Sequence, residues 1–221
     1  MLAQHAACVR ALTAAGAEVT VLEADTRFPD GCFVEDTAVV AGEFAVITRP
    51  GAPSRRGEED AIEPLLAADC EIARIEAPGT VDGGDVIIAG RRVLIGLSAR
   101  TNADGARQLS ALLANRGIRA ATVAVTGSLH LKSDVSWIGD RLLLTRAYAG
   151  RAELAGFNRL IVPEGEEYAA NCVDTGERLL IAAGFPRTRE VLELAGFGVT
   201  AIDVGEFRIM DGGLSCLSIR L

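Results

Sequence analysis

A cysteine, a histidine and three aspartates stand at equivalent places in a repeating sequence pattern. Asp36 in "FVEDTAVV", Asp82 and Asp85 in "GTVDGGDVII", His130 in "LHLKSDVSWI" and Cys216 in "GGLSCLSI" each fall just before or within a short apolar run. A thiol and an imidazole that converge can act as a nucleophile with a general acid/base. Carboxylates beside them would form a pocket for a cation. The set therefore predicts nucleophilic catalysis on a positively charged substrate.

Cys216 differs from the other cysteines in its surroundings. Two glycines precede it in "DGGLSC", and glycine permits the close approach of another part of the chain. A lone cysteine in a strand is more often a small buried hydrophobe than a nucleophile, and we apply that interpretation to Cys8, Cys32, Cys70 and Cys172. Cys216 is thus the predicted nucleophile.

Of the two histidines, His130 is the predicted base, whereas His5 lies on a predicted helix and is expected at the surface.

Two other kinds of site are weighed against this interpretation. A metal site of Cys216, His130 and an aspartate is an alternative, but no pair of these ligands has a metal-binding spacing, so no metal is expected. The segment "GTVDGGD" has neither the GxGxxG spacing nor the following helix of a phosphate loop.

Short strand-type runs alternate with helix-type runs along the chain. "AVVAGEFAVITRP" and "DVIIAGRRVLIGL" predict hairpins, whereas "GEEDAIEPLLAAD", "TNADGARQLSALLANRG" and "PRTREVLELAG" predict helices. Four hairpin–helix–strand units follow from this pattern. Their turn glycines are 48, 49 and 37 residues apart, a period typical of propellers and repeat arrays. These turn glycines are Gly42, Gly90, Gly139 and Gly176.

The two ends of the chain contain parts of a fifth unit. "LSCLSIRL" resembles the first strand of a hairpin, and "LAQHAACVRALTAAGAEVTVLEA" predicts a helix and a last strand. A ring closed by joining the termini leaves no sheet edge exposed between units. We therefore expect an α/β fold, a five-bladed α/β propeller whose fifth blade is split between the termini and lacks its N-terminal strand. An ordinary α/β sandwich with chance spacing is the alternative.

Composition excludes several classes of partner. The chain has 221 residues, of which 49% are hydrophobic, and this suffices for a substantial core. A formal net charge of −8 argues against nucleic acid, whose phosphates attract basic surfaces. No apolar run approaches the roughly 20 residues of a membrane span, so no membrane partner is expected. The five cysteines include no CxxC pair, which favours reduced thiols and a cytoplasmic location.

Eight motifs then occur in order from the first predicted helix to the last predicted strand. They are "RFPDGCFVEDTAVV", "AVITRPGAPSRRGE", "EAPGTVDGGDV", "LSARTNADGARQ", "LHLKSDVSW", "EEYAANCV", "PRTRE" and "MDGGLSCLS". This series closely resembles the dimethylarginine dimethylaminohydrolases, a family of guanidine-modifying penteins with a five-unit α/β propeller fold. The resemblance implies one pentein catalytic domain over residues 1–221. Family members also have an N-terminal strand and lid loop, which would precede Met1, and activity is expected to suffer without them.

The resemblance implies roles for individual residues. Cys216 is similar to the family's nucleophile, His130 to its general acid/base and Asp82 to its third catalytic residue. Carboxylates suit a planar guanidinium and arginine forks suit an α-carboxylate, in agreement with the implied substrate contacts. Phe33, beside the acids, is predicted to pack along the methylene stem of the substrate. The implied substrate contacts are Asp30, Glu35, Asp36, Arg55, Arg100 and the backbone of Met210.

The implied reaction is hydrolysis of dimethylarginine or monomethylarginine to L-citrulline and a methylamine, through a covalent thiouronium intermediate on Cys216. The partner is then a small cationic amino acid, and no cofactor is implied. A free cysteine has a pKa of about 8.5, so either His130 or the cationic substrate must favour the thiolate. Two alternatives for the function stay open: free arginine or another guanidine as the substrate, and a non-catalytic binding module on the same fold. The oligomeric state, including a homodimer, is open as well.

Overall fold

Twelve short strands form four separate three-stranded sheets in the computed structural model, which describes all residues from 1 to 221. In each sheet an antiparallel hairpin is followed by a third strand that runs parallel to the second. The four predicted strand units are therefore confirmed. The strands are β1 (Ala38–Val40), β2 (Phe44–Ile47), β3 (Glu71–Arg74), β4 (Val86–Ala89), β5 (Arg92–Leu97), β6 (Arg119–Ala124), β7 (Val135–Ile138), β8 (Arg141–Leu144), β9 (Asn158–Ile161), β10 (Val173–Asp174), β11 (Leu179–Ala182) and β12 (Val199–Ile202).

Each hairpin turns at a glycine of the predicted repeat. The φ angles of these four glycines lie between 54° and 83°, a left-handed conformation that glycine adopts without steric cost. The second strand of each hairpin is the middle strand of its sheet. All residues of β2 and of β11 are buried, as expected for strands covered on both faces.

The helices agree with the predictions in two of three connections. Helix α3 begins after Asn102, whose Oδ1 accepts a hydrogen bond from the amide of Gly105 at 2.8 Å, as the predicted cap requires. The helix predicted in "GEEDAIEPLLAAD" is instead a 3-10 turn followed by one α-turn, because Pro64 lacks the N–H that a continuous helix needs. The α-helices are α1 (Leu2–Ala14), α2 (Glu63–Leu66), α3 (Ala103–Ala114), α4 (Pro186–Leu194) and α5 (Gly205–Ile209).

The third unit and the predicted fifth unit differ from the expectation. Between β8 and β9 the chain forms two 3-10 turns, Arg146–Tyr148 and Ala152–Leu154, and no α-helix. No strand occurs over residues 17–24 or 214–221, and Ser215–Leu217 is a 3-10 turn. A strand exists only where a neighbour pairs with it, and neither terminal segment has such a ladder. The fifth set of strands is therefore not confirmed.

The chain divides into two compact units. Unit 1 comprises Met1–Glu23 and Lys132–Ser215, and unit 2 comprises Ala24–Leu131 and Cys216–Leu221. None of the five α-helices has the length and apolar composition that crossing a membrane requires.

Each unit has its own hydrophobic core. In unit 2, Leu109 and Leu113 of α3 share a buried cluster with Val93 of β5. In unit 1, Leu192 of α4 shares a cluster with Ile181 of β11. A fully buried leucine contributes about 1.5–3 kcal/mol relative to an exposed one, so these contacts hold helix to sheet in both units.

Candidate active site

The turn before β4 brings two other segments of unit 2 against the sequence "DGGD". Gly83–Asp85 form a 3-10 turn directly after Asp82. A Cβ on Gly83 would lie 2.0 Å from the backbone oxygen of Glu35, and one on Gly84 would lie 2.7 Å from Nδ1 of His130. Both positions require glycine because no side chain fits at these distances. The glycines therefore allow the segments of Glu35 and His130 to converge on this turn.

His130 is buried among carboxylates. Its side chain belongs to a residue only 5% exposed, and its Nε2 lies 3.0 Å from Oδ2 of Asp82 and 3.9 Å from Oδ1 of Asp36. Burial lowers the pKa of the imidazole, but Asp36, the hydrogen bond to Asp82 and then Asp85 outweigh it and raise the pKa to about 9. The ring is therefore protonated at neutral pH.

Asp82 is held by three separate parts of unit 2. Its Oδ2 contacts His130, its Oδ1 accepts a hydrogen bond from the amide of Gly51 at 2.8 Å, and its own amide donates to Oγ1 of Thr101 at 3.1 Å. Burial raises the pKa of this carboxyl, but the hydrogen bonds from His130 and Gly51 outweigh burial and lower it. Asp82 is thus an ionised acceptor that fixes the orientation of the imidazole.

A buried arginine pairs with the second carboxylate near His130. Arg55 Nη1 lies 2.5 Å from Oδ2 of Asp36, and Arg55 also donates to both oxygens of Glu58 and to the backbone oxygen of Phe33. Burial raises the pKa of Glu58 despite this pairing. The other oxygen of Asp36 accepts from the amide of Gly84 at 2.9 Å. Asp36 is consequently immobile beside the imidazole.

The fifth residue of the predicted set, Cys216, also belongs to unit 2. It lies in the 3-10 turn Ser215–Leu217, is half-buried and takes part in no disulfide. Unit 2 thus contains a thiol, a protonated imidazole and a carboxylate that orients the imidazole. Such a set can attack an electrophilic carbon and protonate a departing amine.

The chain shows extended similarity to known proteins. A family model described as N,N dimethylarginine dimethylhydrolase, eukaryotic, matches residues 1–147. The N(G),N(G)-dimethylarginine dimethylaminohydrolase of Pseudomonas aeruginosa is 44% identical over 222 residues, which cover 99% of this chain and 87% of the relative. The chain belongs to the dimethylarginine dimethylaminohydrolase family.

A second relative and a solved structure agree with this assignment. The dimethylarginine dimethylaminohydrolase of Streptomyces coelicolor is 39% identical over 100% of this chain and 85% of the relative. A crystallised cysteine-to-serine variant of the Pseudomonas aeruginosa enzyme, complexed with citrulline, superposes with a TM-score of 0.97 at 43% identity. That superposition covers 100% of this chain and 88% of the other, so the small α/β sheets described above are those of the dimethylarginine dimethylaminohydrolase fold.

The structure places most of the predicted substrate residues in unit 2. Glu35 and Phe33 are buried beside Asp36, and Asp30 and Arg100 are half-buried. The guanidinium of Arg55 is engaged by Asp36, Glu58 and Phe33, so its predicted contact with the substrate stays a prediction. Met210 follows α5 in unit 1, and its predicted contact also stays a prediction.

The other cysteines of this family member differ from one another in burial. Cys8 and Cys172 are buried, as their interpretation as small hydrophobes requires. Cys32 and Cys70 are only partly buried, which departs from that interpretation. Burial nevertheless raises the pKa of both thiols, and nearby carboxylates add to this effect.

Asp36, Asp82 and His130 are also a group whose donor atoms lie within 4.8 Å of one another. The alternative metal set weighed from the sequence contained Cys216 and one aspartate, so two carboxylates and an imidazole are a different donor set. An imidazole nitrogen binds a metal only after losing its proton, and the carboxylates raise the pKa of His130. A metal ion would have to displace the proton at Nε2, and the expectation of no metal stays a prediction.

Two polar neighbours of the candidate site residues are absent from the sequence prediction. Glu58 lies in "SRRGEED", which has the composition of a solvated charge run, yet it is buried against Arg55. The spacing of three residues between Arg55 and Glu58 was the available signal. Ser98 lies in "LSART" and donates to Asp85 at 2.6 Å, a contact for which the sequence carries no local signal.

Proposed function

We propose that this chain hydrolyses N-omega-methylated arginine, as dimethylarginine or monomethylarginine, to L-citrulline and a methylamine. The observation that carries the proposal is the buried His130, which contacts Asp82 at 3.0 Å in a unit that also contains Cys216. Two relatives that match 99% or more of this chain are named dimethylarginine dimethylaminohydrolases, and one of these enzymes has been solved as a complex with citrulline.

The proposed reaction begins with attack by the Cys216 thiolate on the guanidinium carbon. A C–S bond forms, and His130 gives the proton at its imidazole to the departing methylamine as the C–N bond breaks. Water then adds to the same carbon, and His130 accepts one of its protons. The C–S bond breaks as the remaining hydroxyl proton passes to solvent, which releases citrulline and restores the thiolate. The raised pKa of His130 supports the first step, because the residue holds a proton at neutral pH.

Charge supports the proposed substrate class. A guanidinium carries a permanent positive charge and donates several planar hydrogen bonds, which carboxylates accept in pairs. We assign that role to Asp30, Glu35 and Asp36. Arg100 and Arg55 would bind the α-carboxylate of the substrate. Phe33 would then pack along the methylene stem. Thiolate chemistry of this kind needs no Lewis acid, so we expect activity to survive exhaustive chelation.

Citrulline release from dimethylarginine, monomethylarginine and arginine, measured side by side, tests the proposed function. We expect release from the two methylated substrates, and none from any substrate with a Cys216→Ser variant. A preference for free arginine would assign the chain to another guanidine hydrolase. No citrulline from any substrate, with the protein folded, would leave a non-catalytic binding module.

We also propose that residues 1–221 form one catalytic domain, a five-bladed α/β propeller with the fifth blade split between the chain termini. Four sheets of identical strand order and the TM-score of 0.97 over the whole chain support this architecture. A single cooperative unfolding transition is the expected behaviour of one domain. The five cysteines form no disulfide, which supports a reducing, cytoplasmic location.

A further inference from the structure

Asp85 is a fully buried carboxylate that the proposed reaction does not use. Its residue is 0% exposed, at the end of the turn that also carries Asp82. A Cβ on Gly96 of β5 would lie 2.7 Å from Oδ1 of Asp85, so the neighbouring strand has a glycine where this carboxylate lies. Burying a carboxylate costs free energy unless its oxygens are hydrogen-bonded, and both oxygens of Asp85 are.

The first oxygen holds the segment that carries His130. Oδ1 of Asp85 accepts a hydrogen bond from the amide of Leu131 at 2.9 Å, and Leu131 directly follows His130. Asp82 meanwhile contacts the imidazole ring of the same histidine. The two carboxylates of "DGGD" therefore fix one residue at two places, Asp82 at the ring and Asp85 at the adjacent backbone.

The second oxygen holds the segment that carries Arg100. Oδ2 of Asp85 accepts a hydrogen bond from the hydroxyl of Ser98 at 2.6 Å. The same hydroxyl oxygen accepts hydrogen bonds from the amides of Arg100 at 2.9 Å and of Thr101 at 3.1 Å. Since Ser98 gives its only proton to Asp85, its lone pairs are directed at these two amides. Asp85 thus orients a serine that in turn fixes the backbone of Arg100.

We propose that Asp85 is a positioning residue that holds the His130 segment and the Arg100 segment in one fixed arrangement. This inference rests on the proposed function, in which His130 transfers the proton and Arg100 binds the α-carboxylate of the substrate. Loss of the carboxylate should therefore impair both turnover and substrate binding. Loss of Ser98 alone should impair only the binding of the substrate α-carboxylate by Arg100.

Two variants and a control separate the effect on the His130 segment from the effect on the Arg100 segment. Asp85→Asn has the same shape, and we expect kcat to fall about tenfold or more and KM to rise, because small displacements of reacting groups cost one to two orders of magnitude in rate. Ser98→Ala should raise KM with little change in kcat. Ser110→Ala is the control, since Ser110 donates only to a backbone oxygen within α3, at 2.7 Å from its own hydroxyl. It should leave both parameters unchanged.

An NMR titration of the histidine rings supplies a measurement independent of turnover. The chain contains two histidines, so a His5→Gln variant assigns the His130 signals directly. The carboxylates that face His130 are Asp36, Asp82 and Asp85, and removing the charge of Asp85 should lower the pH at which His130 titrates. Ser98→Ala should leave that pH unchanged.

The outcomes are distinct. Two results would overturn the proposal. One is a loss of activity in Asp85→Asn and Ser98→Ala that merely follows the unfolded fraction, with no split between kcat and KM. The other is an unchanged His130 titration in folded Asp85→Asn. If the unaltered protein releases no citrulline from any guanidine, the proposed function fails. The titration then still decides whether Asp85 governs the state of His130.

Discussion

Oδ2 of Asp82 lies 3.0 Å from Nε2 of His130, and both side chains are almost completely buried. An ionised carboxylate only accepts hydrogen bonds, so the imidazole nitrogen is the donor and carries a proton. Two buried opposite charges in contact stabilise each other, and removing either one leaves the other without a partner. The pair is therefore both an acid for the proposed reaction and a pH-dependent contribution to folding.

Stability should fall as the pH rises above neutral. His130 has its pKa raised from 6.5 to about 9 by its carboxylate neighbours against the opposing effect of burial, so the folded state binds its proton more tightly than the unfolded state. The resulting stabilisation is fully present below pH 6.5 and is lost as the pH rises to about 9. Asp82, whose pKa is lowered, contributes in the opposite direction and only in acid.

Urea unfolding at several pH values between 6 and 9 measures this effect. A His130→Gln variant is the control, since it has no titrating group at this site and should lose much less stability over the same interval. Parallel profiles for the two proteins would contradict the assigned protonation of His130.

Cys216→Ser should abolish citrulline release, whereas Cys70→Ser should retain most of it. Both cysteines are half-buried and take part in no disulfide, so the two changes are matched in chemistry and exposure. Burial raises the pKa of Cys70 and nearby acids add to it, which leaves that thiol protonated. Citrulline assays on the two folded variants make the comparison, and equal losses would indicate a structural role for Cys216.

The four strand units are predictable from sequence because their signals are local. A glycine with positive φ at each hairpin turn and apolar runs on both sides are legible without any knowledge of the rest of the chain. The fifth unit is different, since a strand depends on a partner that may lie anywhere in the sequence. The helix expected between β8 and β9 fails for a local reason, because Gly150 and Gly156 interrupt a short connection.

The candidate site likewise contains contacts that the sequence predicts and contacts that it does not. Asp82 and His130 lie 48 residues apart, and the repeat pattern brings them together in unit 2, as their equivalent positions predict. The burial of Glu58 against Arg55 has only their spacing of three residues as a signal, because "SRRGEED" has the same composition as an exposed charge run. Only the packing around a charged residue shows whether that residue is buried or exposed.

Removing Arg55 should destabilise the protein far more than removing a surface arginine. Arg55→Met leaves Asp36 and Glu58 as buried carboxylates without their cation, and breaking a buried pair in this way costs about 3–5 kcal/mol. Arg74→Met is the matched control, because Arg74 pairs with Glu63 at the surface, where such a pair contributes at most about 1 kcal/mol. Free energies of unfolding from denaturant titrations decide the matter. Similar losses in the two variants would mean that the carboxylates around Arg55 accommodate its absence.

Gly213→Ala should also destabilise the protein, and this prediction explains the second glycine of "DGGLSC". In unit 1, a Cβ on Gly213 would lie 2.5 Å from Cγ and Oδ1 of Asn171. Asn171 cannot move away easily, since it is buried, its Oδ1 accepts from the amide of Ser215 at 3.0 Å, and its Nδ2 donates to the hydroxyl of Ser215 at 2.9 Å and to the backbone oxygen of Lys132 at 3.0 Å. The closeness of the chain to Asn171, rather than any property of the thiol, requires a glycine here.

The expected loss for Gly213→Ala is about 1–3 kcal/mol, the usual cost of overpacking a buried site. Gly150→Ala is the control, because no atom outside its own neighbourhood lies within 4 Å of a Cβ at that exposed position, and its effect should stay within about 0.5 kcal/mol. Denaturant unfolding and citrulline release are measured on both variants. Because Ser215 directly precedes Cys216, a displaced Asn171 should reduce turnover as well as stability in Gly213→Ala. A Gly213→Ala protein as stable and as active as Gly150→Ala would show that Asn171 yields to the added methyl group, and that the contact does not fix the segment before the cysteine.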